Sequence, residues 1–156
     1  MSIYSRFLRA VGERRWFVAV ASRVAPRLDR LVYRATRGRR PATPPSVPTL
    51  FLTTTGRRTG EPRTVALSYV EDGGAYIVVG TNWGRRSTPD WTLNLEANPR
   101  AMIEMAGEQI LIDAHAVAPD EQVAIWEAFH AMWPPYAAYR RRVTSRTIKM
   151  LRLVKR

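Results

Sequence analysis

The sequence predicts an α+β protein whose body is a small β-barrel, preceded by a basic helical arm. Three observations carry that expectation. Six short β-prone runs follow one another after Pro48, with short connections and few helices between them. Gly-rich turn signals separate several of these runs. The positive charge sits mostly at the other end of the chain. Residues 1–40 hold eleven arginines against Glu13 and Asp29, a net of +9 out of the +12 of the whole chain. The chain therefore divides into an arm and linker at 1–45 and a barrel domain at 46–156.

Each element has its own local reason. Residues 3–12 and 15–36 read as helices. Phe17, Val20, Ala21, Val24, Leu28 and Leu31 recur at spacings of three and four, and most arginines lie off that stripe. Pro26 should kink the second helix near Ala25. Gly38–Pro48, with four prolines, reads as the linker. Thr49–Thr55 is the first strand and Arg63–Val70 the second. Asp72-Gly73-Gly74 signals a hairpin into a third strand, Ala75–Gly80. Thr88 is a plausible N-cap with Pro89 at the first helical position, opening a short helix to Ala97 that Asn98-Pro99 stops. Arg100–Met105 and Gln109–Ala116 are strands joined through Gly107. Asp120–Met132 is an amphipathic helix carrying Val123, Trp126, Phe129 and His130 on one stripe. Pro134-Pro135 breaks it, Tyr136–Arg142 is a short helix, and Ile148–Val154 is the last strand.

At 156 residues the chain is long enough for one real core. It has no cysteine, which excludes disulfides, thiol catalysis and cysteine-ligated metals. Two histidines, His115 and His130, are too few for a histidine metal site, and both are assigned to packing or surface. No run approaches the ~20 apolar residues of a membrane span. Arg14 and Arg15 interrupt the N-terminal apolar stretch, against a signal peptide. The expectation is a cytoplasmic protein, with contact to the inner face of the cell membrane through residues 1–40 as an open alternative.

The most telling segment is Thr53-Thr54-Thr55-Gly56-Arg57-Arg58-Thr59-Gly60-Glu61-Pro62-Arg63, where a strand enters a turn bracketed by two glycines. Glycine lets a backbone curl with its N–H groups facing one concavity. Guanidinium forks beside such a concavity favour phosphate or carboxylate. Arg57, Arg58 and Arg63, helped by Thr59, are therefore read as an anion grip.

Four segments, in order, carry a resemblance. They are Thr53-Thr54-Thr55-Gly56-Arg57-Arg58-Thr59-Gly60-x-Pro62-Arg63; Asn82-Trp83-Gly84; Pro89-x-Trp91-x-x-Asn94-Leu95-x-Ala97-Asn98-Pro99; and Trp133-Pro134-x-Tyr136-x-x-Tyr139. Over residues 45–155 the chain resembles the deazaflavin-dependent nitroreductase family, whose members use coenzyme F420. The resemblance implies a split β-barrel of the FMN-binding, flavin-reductase type. It also implies hydride transfer from reduced deazaflavin to an electron-poor hydrophobic acceptor: a quinone, an activated alkene or a nitro compound. The coenzyme bears a phosphate and a polyglutamate tail, which suits the arginine turn.

Under that resemblance the cofactor-binding candidates are Arg57, Arg58, Thr59, Arg63, Gly80, Thr81, Asn82, Trp83, Asp90, Trp91, Asn94 and Tyr136. Gly80 admits close approach of a planar ring, and Thr81 and Asn82 offer polar groups to its edge. Some members carry Ser-Lys where this chain has Thr81-Asn82. The helix beginning near Asp90 presents N–H donors at its start. Trp91 either walls the ring or packs in the core, and Asn94 either contacts the cofactor or braces the loop. Ser68, Trp133 and Tyr139 are the acceptor-side candidates, aromatics with a polar handle suiting flat, weakly polar acceptors. Ser68 stands where relatives can show tyrosine, and its small hydroxyl would widen the pocket. Tyr136, Ser68 and water stand as alternative proton donors. No protein nucleophile is required, because the cofactor carries the chemistry. No metal is expected.

Two other readings stay open. One is an FMN- or heme-binding split barrel. The other is a membrane-surface or nucleic-acid module using the basic arm, with nucleic acid disfavoured by the lack of a recognition helix or zinc motif.

Overall fold

A computed structural model describes residues 47–156, together with the single positions Val20, Val24 and Val32. The two helices and most of the linker expected in the arm lie outside the described residues. Val20 and Val24 have helical backbone and are exposed.

Six strands form a closed antiparallel barrel: β1 (Thr49–Thr55), β2 (Pro62–Asp72), β3 (Ala75–Val79), β4 (Arg100–Met105), β5 (Glu108–Ala116) and β6 (Met150–Lys155). Within residues 47–156 three α-helices accompany them: α1 (Asp90–Ala97), α2 (Gln122–Met132) and α3 (Pro135–Arg142). A single 3₁₀ turn covers Asn82–Gly84. Strand positions agree with the sequence reading to within two residues. Thr88 does not cap α1: Pro89 is the N-cap residue, and the Thr92 hydroxyl donates to its carbonyl at 2.8 Å. In α2 the buried residues are Ile125, Trp126 and Phe129, while Val123 and His130 point to solvent.

Sequential neighbours pair within β1-β2-β3 and within β4-β5-β6, but β3 and β4 do not pair. The spatial order around the barrel is β1-β2-β3-β6-β5-β4. Strand β4 closes on β1, pairing Phe51 with Glu104 and Thr53 with Met102. Strand β6 slots between β3 and β5, pairing Val79 with Met150 and Ala116 with Leu151. Such pairings join residues far apart in the chain, so no local pattern encodes them.

This order fixes where the connections fall. Antiparallel pairing puts the end of β1, the end of β3, the start of β4, the end of β5 and the start of β6 at one rim. Both crossovers, β3 to β4 and β5 to β6, therefore run over that rim, and so does the Gly56–Gly60 turn. At the opposite rim, among the described residues, lie the tight hairpins at Gly73-Gly74 and Ala106-Gly107, where these residues take positive φ.

The core has two parts. Leu50, Leu52, Tyr76, Val78, Ile103, Ile112 and Leu153 fill the barrel interior, with Trp91 and Leu95 of α1 closing it. On the outside of β2, β3 and β6, helices α2 and α3 bury Ile77, Val79 and Met150 under Trp126, Phe129, Tyr136 and Tyr139. The unbroken burial of β3, covered on both faces, follows from that sandwiching.

Candidate functional site

The rim is held together by polar contacts that converge on α1. Asn94 is buried. Its Oδ1 accepts the backbone N–H of Arg57 at 3.1 Å and Arg57 Nη1 at 3.3 Å, and its Nδ2 donates to Thr54 Oγ1 at 3.0 Å. Arg57 Nη1 also pairs with the exposed carboxylate of Asp90 at 3.0 Å. The strand end, the turn and the helix start are thus one unit. Asn94 takes the bracing role rather than facing outward.

The turn itself differs from the sequence expectation. Its amides do not face a common concavity. Gly56 N–H donates to the Glu61 carbonyl at 2.8 Å, Thr59 N–H and Gly60 N–H donate to the Gly56 carbonyl, and Glu61 N–H donates to Thr59 Oγ1. Only Gly60 of the bracketing pair has positive φ. Gly56 is required for space, because a Cβ there would lie 2.9 Å from Thr59 Oγ1 and 3.1 Å from the Glu61 carbonyl. The positive field of the turn comes from guanidinium groups. Arg57, Arg58 and Arg63 are all exposed, and Arg63 Nη2 leans on Thr59 Oγ1 at 3.4 Å.

Beyond β3 the chain makes a strained turn. Asn82, Trp83 and Gly84 have φ of 48°, 58° and 76° in succession. Left-handed backbone costs a non-glycine residue roughly 1–2 kcal/mol, so the turn persists only where its surroundings over-determine it. Asn82 Nδ2 donates to the carbonyl and hydroxyl of Ser87. Gly84 is pressed against α3: a Cβ there would lie 3.2 Å from Tyr139 Cα and Arg142 Cδ. Arg146, between α3 and β6, donates to the carbonyls of Gly80 and Thr81 at 3.0 Å and of Arg85 at 3.3 Å. The sequence reading missed Arg146; nothing local in Thr144-Ser145-Arg146-Thr147 marks it.

Gly80 does not open a face to a ring through its missing side chain. That space belongs to α1 and the chain before β6, since a Cβ would lie 2.9 Å from Thr92 Cγ2 and 3.4 Å from the Lys149 carbonyl. Trp91 likewise packs into the barrel interior. Thr81 is buried, whereas Asn82 and Trp83 are half-buried at the rim.

An aromatic chain leads away from this turn. Trp83 meets Tyr139 with centroids 6.1 Å apart, Tyr139 meets Tyr136 at 5.7 Å, and Tyr136 meets Phe129 at 5.0 Å. Trp133 packs against the same cluster and is half-buried. The Tyr136 hydroxyl shares a hydrogen bond with Ser68 on β2, and burial pushes its pKa well above the usual tyrosine range. The structure thus joins Ser68 to Tyr136, two residues that the sequence placed separately. His115 and His130 are exposed, as expected. Among the described residues no cluster of His, Asp and Glu is arranged to hold a metal, and no helix is long and apolar enough to cross a membrane.

Comparison with known proteins bears on these features. The model of the F420H(2)-dependent quinone reductase family matches residues 25–154, beginning upstream of the motifs that carried the sequence resemblance. An F420H(2)-dependent quinone reductase of Mycobacterium tuberculosis is 36% identical over 137 residues, which is 83% of this chain and 89% of that protein. Among solved structures, an F420-H2-dependent reductase aligns with a TM-score of 0.61 at 30% identity, over 68% of this chain and 93% of the other. A chain described as a domain-swapped dimer aligns with the same TM-score at 29% identity, over 68% of this chain and 79% of the other. The barrel is accordingly of the split type. The chain belongs to the F420H(2)-dependent quinone reductase family and is an F420-dependent oxidoreductase with coenzyme F420 as its cofactor.

Proposed function

We propose that this oxidoreductase delivers the hydride of reduced F420 to a quinone, bound beside the aromatic cluster of α3 at the crossover rim. The single observation that carries the reading is the continuity of that rim. Exposed arginines stand at one end of it, and an aromatic wall follows beyond the Trp83 turn.

The residues present fit the coenzyme by donor chemistry. Its phosphate and glutamate carboxylates are multiply negative, and Arg57, Arg58 and Arg63 offer guanidinium forks in solvent-accessible positions. Asp90 holds Arg57 by one nitrogen, so the fork is oriented before a ligand arrives. Thr59 does the same for Arg63. Thr81, Asn82 and Trp83 would meet the polar edge of the ring. When bound, reduced F420 supplies the hydride. The protein supplies position, a partly dry wall and a proton. Ser68 and Tyr136 form the hydroxyl pair nearest the aromatic cluster. Tyr136, like any tyrosine, carries its proton at neutral pH and can give a hydrogen bond to a reduced oxygen. Trp133 and Tyr139 line the acceptor side.

The quinone is favoured over the alkene and the nitro compound because the family and the 36%-identical relative are named for quinone reduction. Family membership also selects the deazaflavin over FMN and heme. The arm at 1–45 stays a proposal of its own. Deleting residues 1–40 and measuring pelleting with anionic liposomes tests whether it touches a membrane.

The test of the acceptor is anaerobic reoxidation of reduced F420 by menadione, an enone and a nitroarene. Menadione should be the fastest of the three. Faster turnover of either competitor, or none with menadione, would overturn the quinone assignment.

A further inference from the structure

We infer that Arg146 is a positioning residue for the F420 site: its guanidinium gathers the carbonyl oxygens of Gly80, Thr81 and Arg85 and so fixes the strained Thr81–Arg86 loop for the cofactor. The inference rests on the proposed placement of F420 against residues 81–83.

The contacts have an unusual form. Nη1 donates to the Gly80 carbonyl at 3.0 Å and to the adjacent Thr147 carbonyl at 3.4 Å. Nη2 donates to the Thr81 carbonyl at 3.0 Å and to the Arg85 carbonyl at 3.3 Å. Among the described residues no carboxylate joins the guanidinium. Burial lowers the pKa of the group, and its Nε, itself buried, has no hydrogen-bond partner. A partnered carboxylate would be the ordinary way to hold a half-buried arginine. Here the cation is devoted to backbone oxygens of one loop.

Planar trans peptides give the arrangement its consequence. The C=O and N–H of one trans peptide point in opposite directions, and the described residues hold no cis peptide bond. Drawing the Thr81 and Arg85 carbonyls onto the guanidinium therefore turns the N–H groups of Asn82 and Arg86 to the far side of the loop. Those amides become donors toward a polar ring edge or an anion, and the Asn82 side chain, engaged with Ser87, does not compete for the space. The same clamp holds Asn82 and Trp83 in left-handed backbone, which places the Trp83 ring against Tyr139. One arginine thus sets both the donor face and the first ring of the aromatic wall.

The test uses Arg146→Met, which keeps the apolar stem, and Arg146→Lys, which replaces the planar two-nitrogen fork by one compact ammonium. Three readouts are taken on the full chain: amide exchange without cofactor, F420 affinity by fluorescence titration, and its dependence on salt. In the parent, the Gly84 and Arg85 N–H groups are bonded within the loop, and Thr81 N–H to the Val79 carbonyl at the end of β3, so all three should be protected. Arg146→Met should speed exchange at 81–86 at least about tenfold while strand amides stay protected. F420 affinity should fall about tenfold, with an unchanged salt slope because Arg57, Arg58 and Arg63 are intact. Arg146→Lys should fall between parent and Arg146→Met, and it serves as the folded variant if the methionine chain does not fold. Unchanged exchange at 81–86 overturns the clamp and leaves the placement of F420 standing. Faster exchange with unchanged affinity overturns the placement of F420 at this loop, and the positioning role falls with it.

Discussion

Replacing Asn94 by alanine should loosen the arginine turn and destabilise the whole domain, and the size of the effect follows from the contacts. The side chain is 3% exposed and its partner Thr54 is 2% exposed. Two short bonds are lost, to the Arg57 amide at 3.1 Å and to Thr54 Oγ1 at 3.0 Å. Each contributes about 1 kcal/mol net. Thr54 is left with only a 3.5 Å contact to the Arg63 carbonyl, and such a buried polar group adds about 1 kcal/mol more. The 3.3 Å contact from Arg57 Nη1 adds little, because that nitrogen keeps Asp90. The sum is about 3 kcal/mol, or roughly 10 °C in Tm for a chain of this size. Thermal unfolding and urea titration measure it. Asn94→Asp is the control, since a carboxylate of the same shape still accepts from Arg57 and from a rotated Thr54 hydroxyl. It should cost about 1 kcal/mol. A Tm for Asn94→Ala within about 2 °C of the parent, or a larger loss for Asn94→Asp, would refute the reasoning.

Gly84→Ala should cost about 2–3 kcal/mol, combining positive φ with the crowding from α3, whereas Gly74→Ala, at positive φ in open space, should cost about 1 kcal/mol by urea unfolding; equal losses would mean that α3 does not press on the turn. Tyr136 is held neutral in the folded chain, with its pKa raised above the ordinary 10.0. Its contribution is fully present below pH 10 and is lost as pH rises beyond that value, because only the unfolded state releases the proton there. Urea midpoints measured from pH 8 to 11 should therefore be flat and then fall, and Tyr136→Phe should flatten the alkaline limb. Trp91→Phe should cost about 1–3 kcal/mol of stability but leave F420 affinity of the folded protein within about twofold; a loss of affinity without a loss of stability would return Trp91 to the ring pocket.

Strand existence and the helix starts were legible because their determinants are local. The Asp72-Gly73-Gly74 turn, Asn98-Pro99 and Pro134-Pro135 act within a few residues, and the structure breaks its elements at those places. The full strand order was not legible, since β6 joins β3 and β5 through backbone pairing between segments far apart in the chain. In the candidate site, sequence pointed to residue types but not to the contacts each one makes. Arginine chemistry pointed to the turn, but whether the turn amides face out or bond one another depends on where the Glu61 carbonyl falls. Gly80 and Trp91 looked like ligand contacts because small and aromatic residues serve equally for packing, and here α1 and the barrel interior use them. Arg146 and the Ser68–Tyr136 pair escaped notice because each partner lies far away in sequence.

The central claim is that the guanidinium groups of Arg57, Arg58 and Arg63 hold the anionic tail of F420. Fluorescence titration of F420 at several ionic strengths, on the parent and on the triple alanine variant of those arginines, tests it most directly. The parent should lose affinity steeply as salt rises, and the triple variant should bind about a hundredfold more weakly at low salt, with most of that salt dependence gone. A triple variant that folds and binds F420 as tightly as the parent, with the same salt slope, would contradict the account.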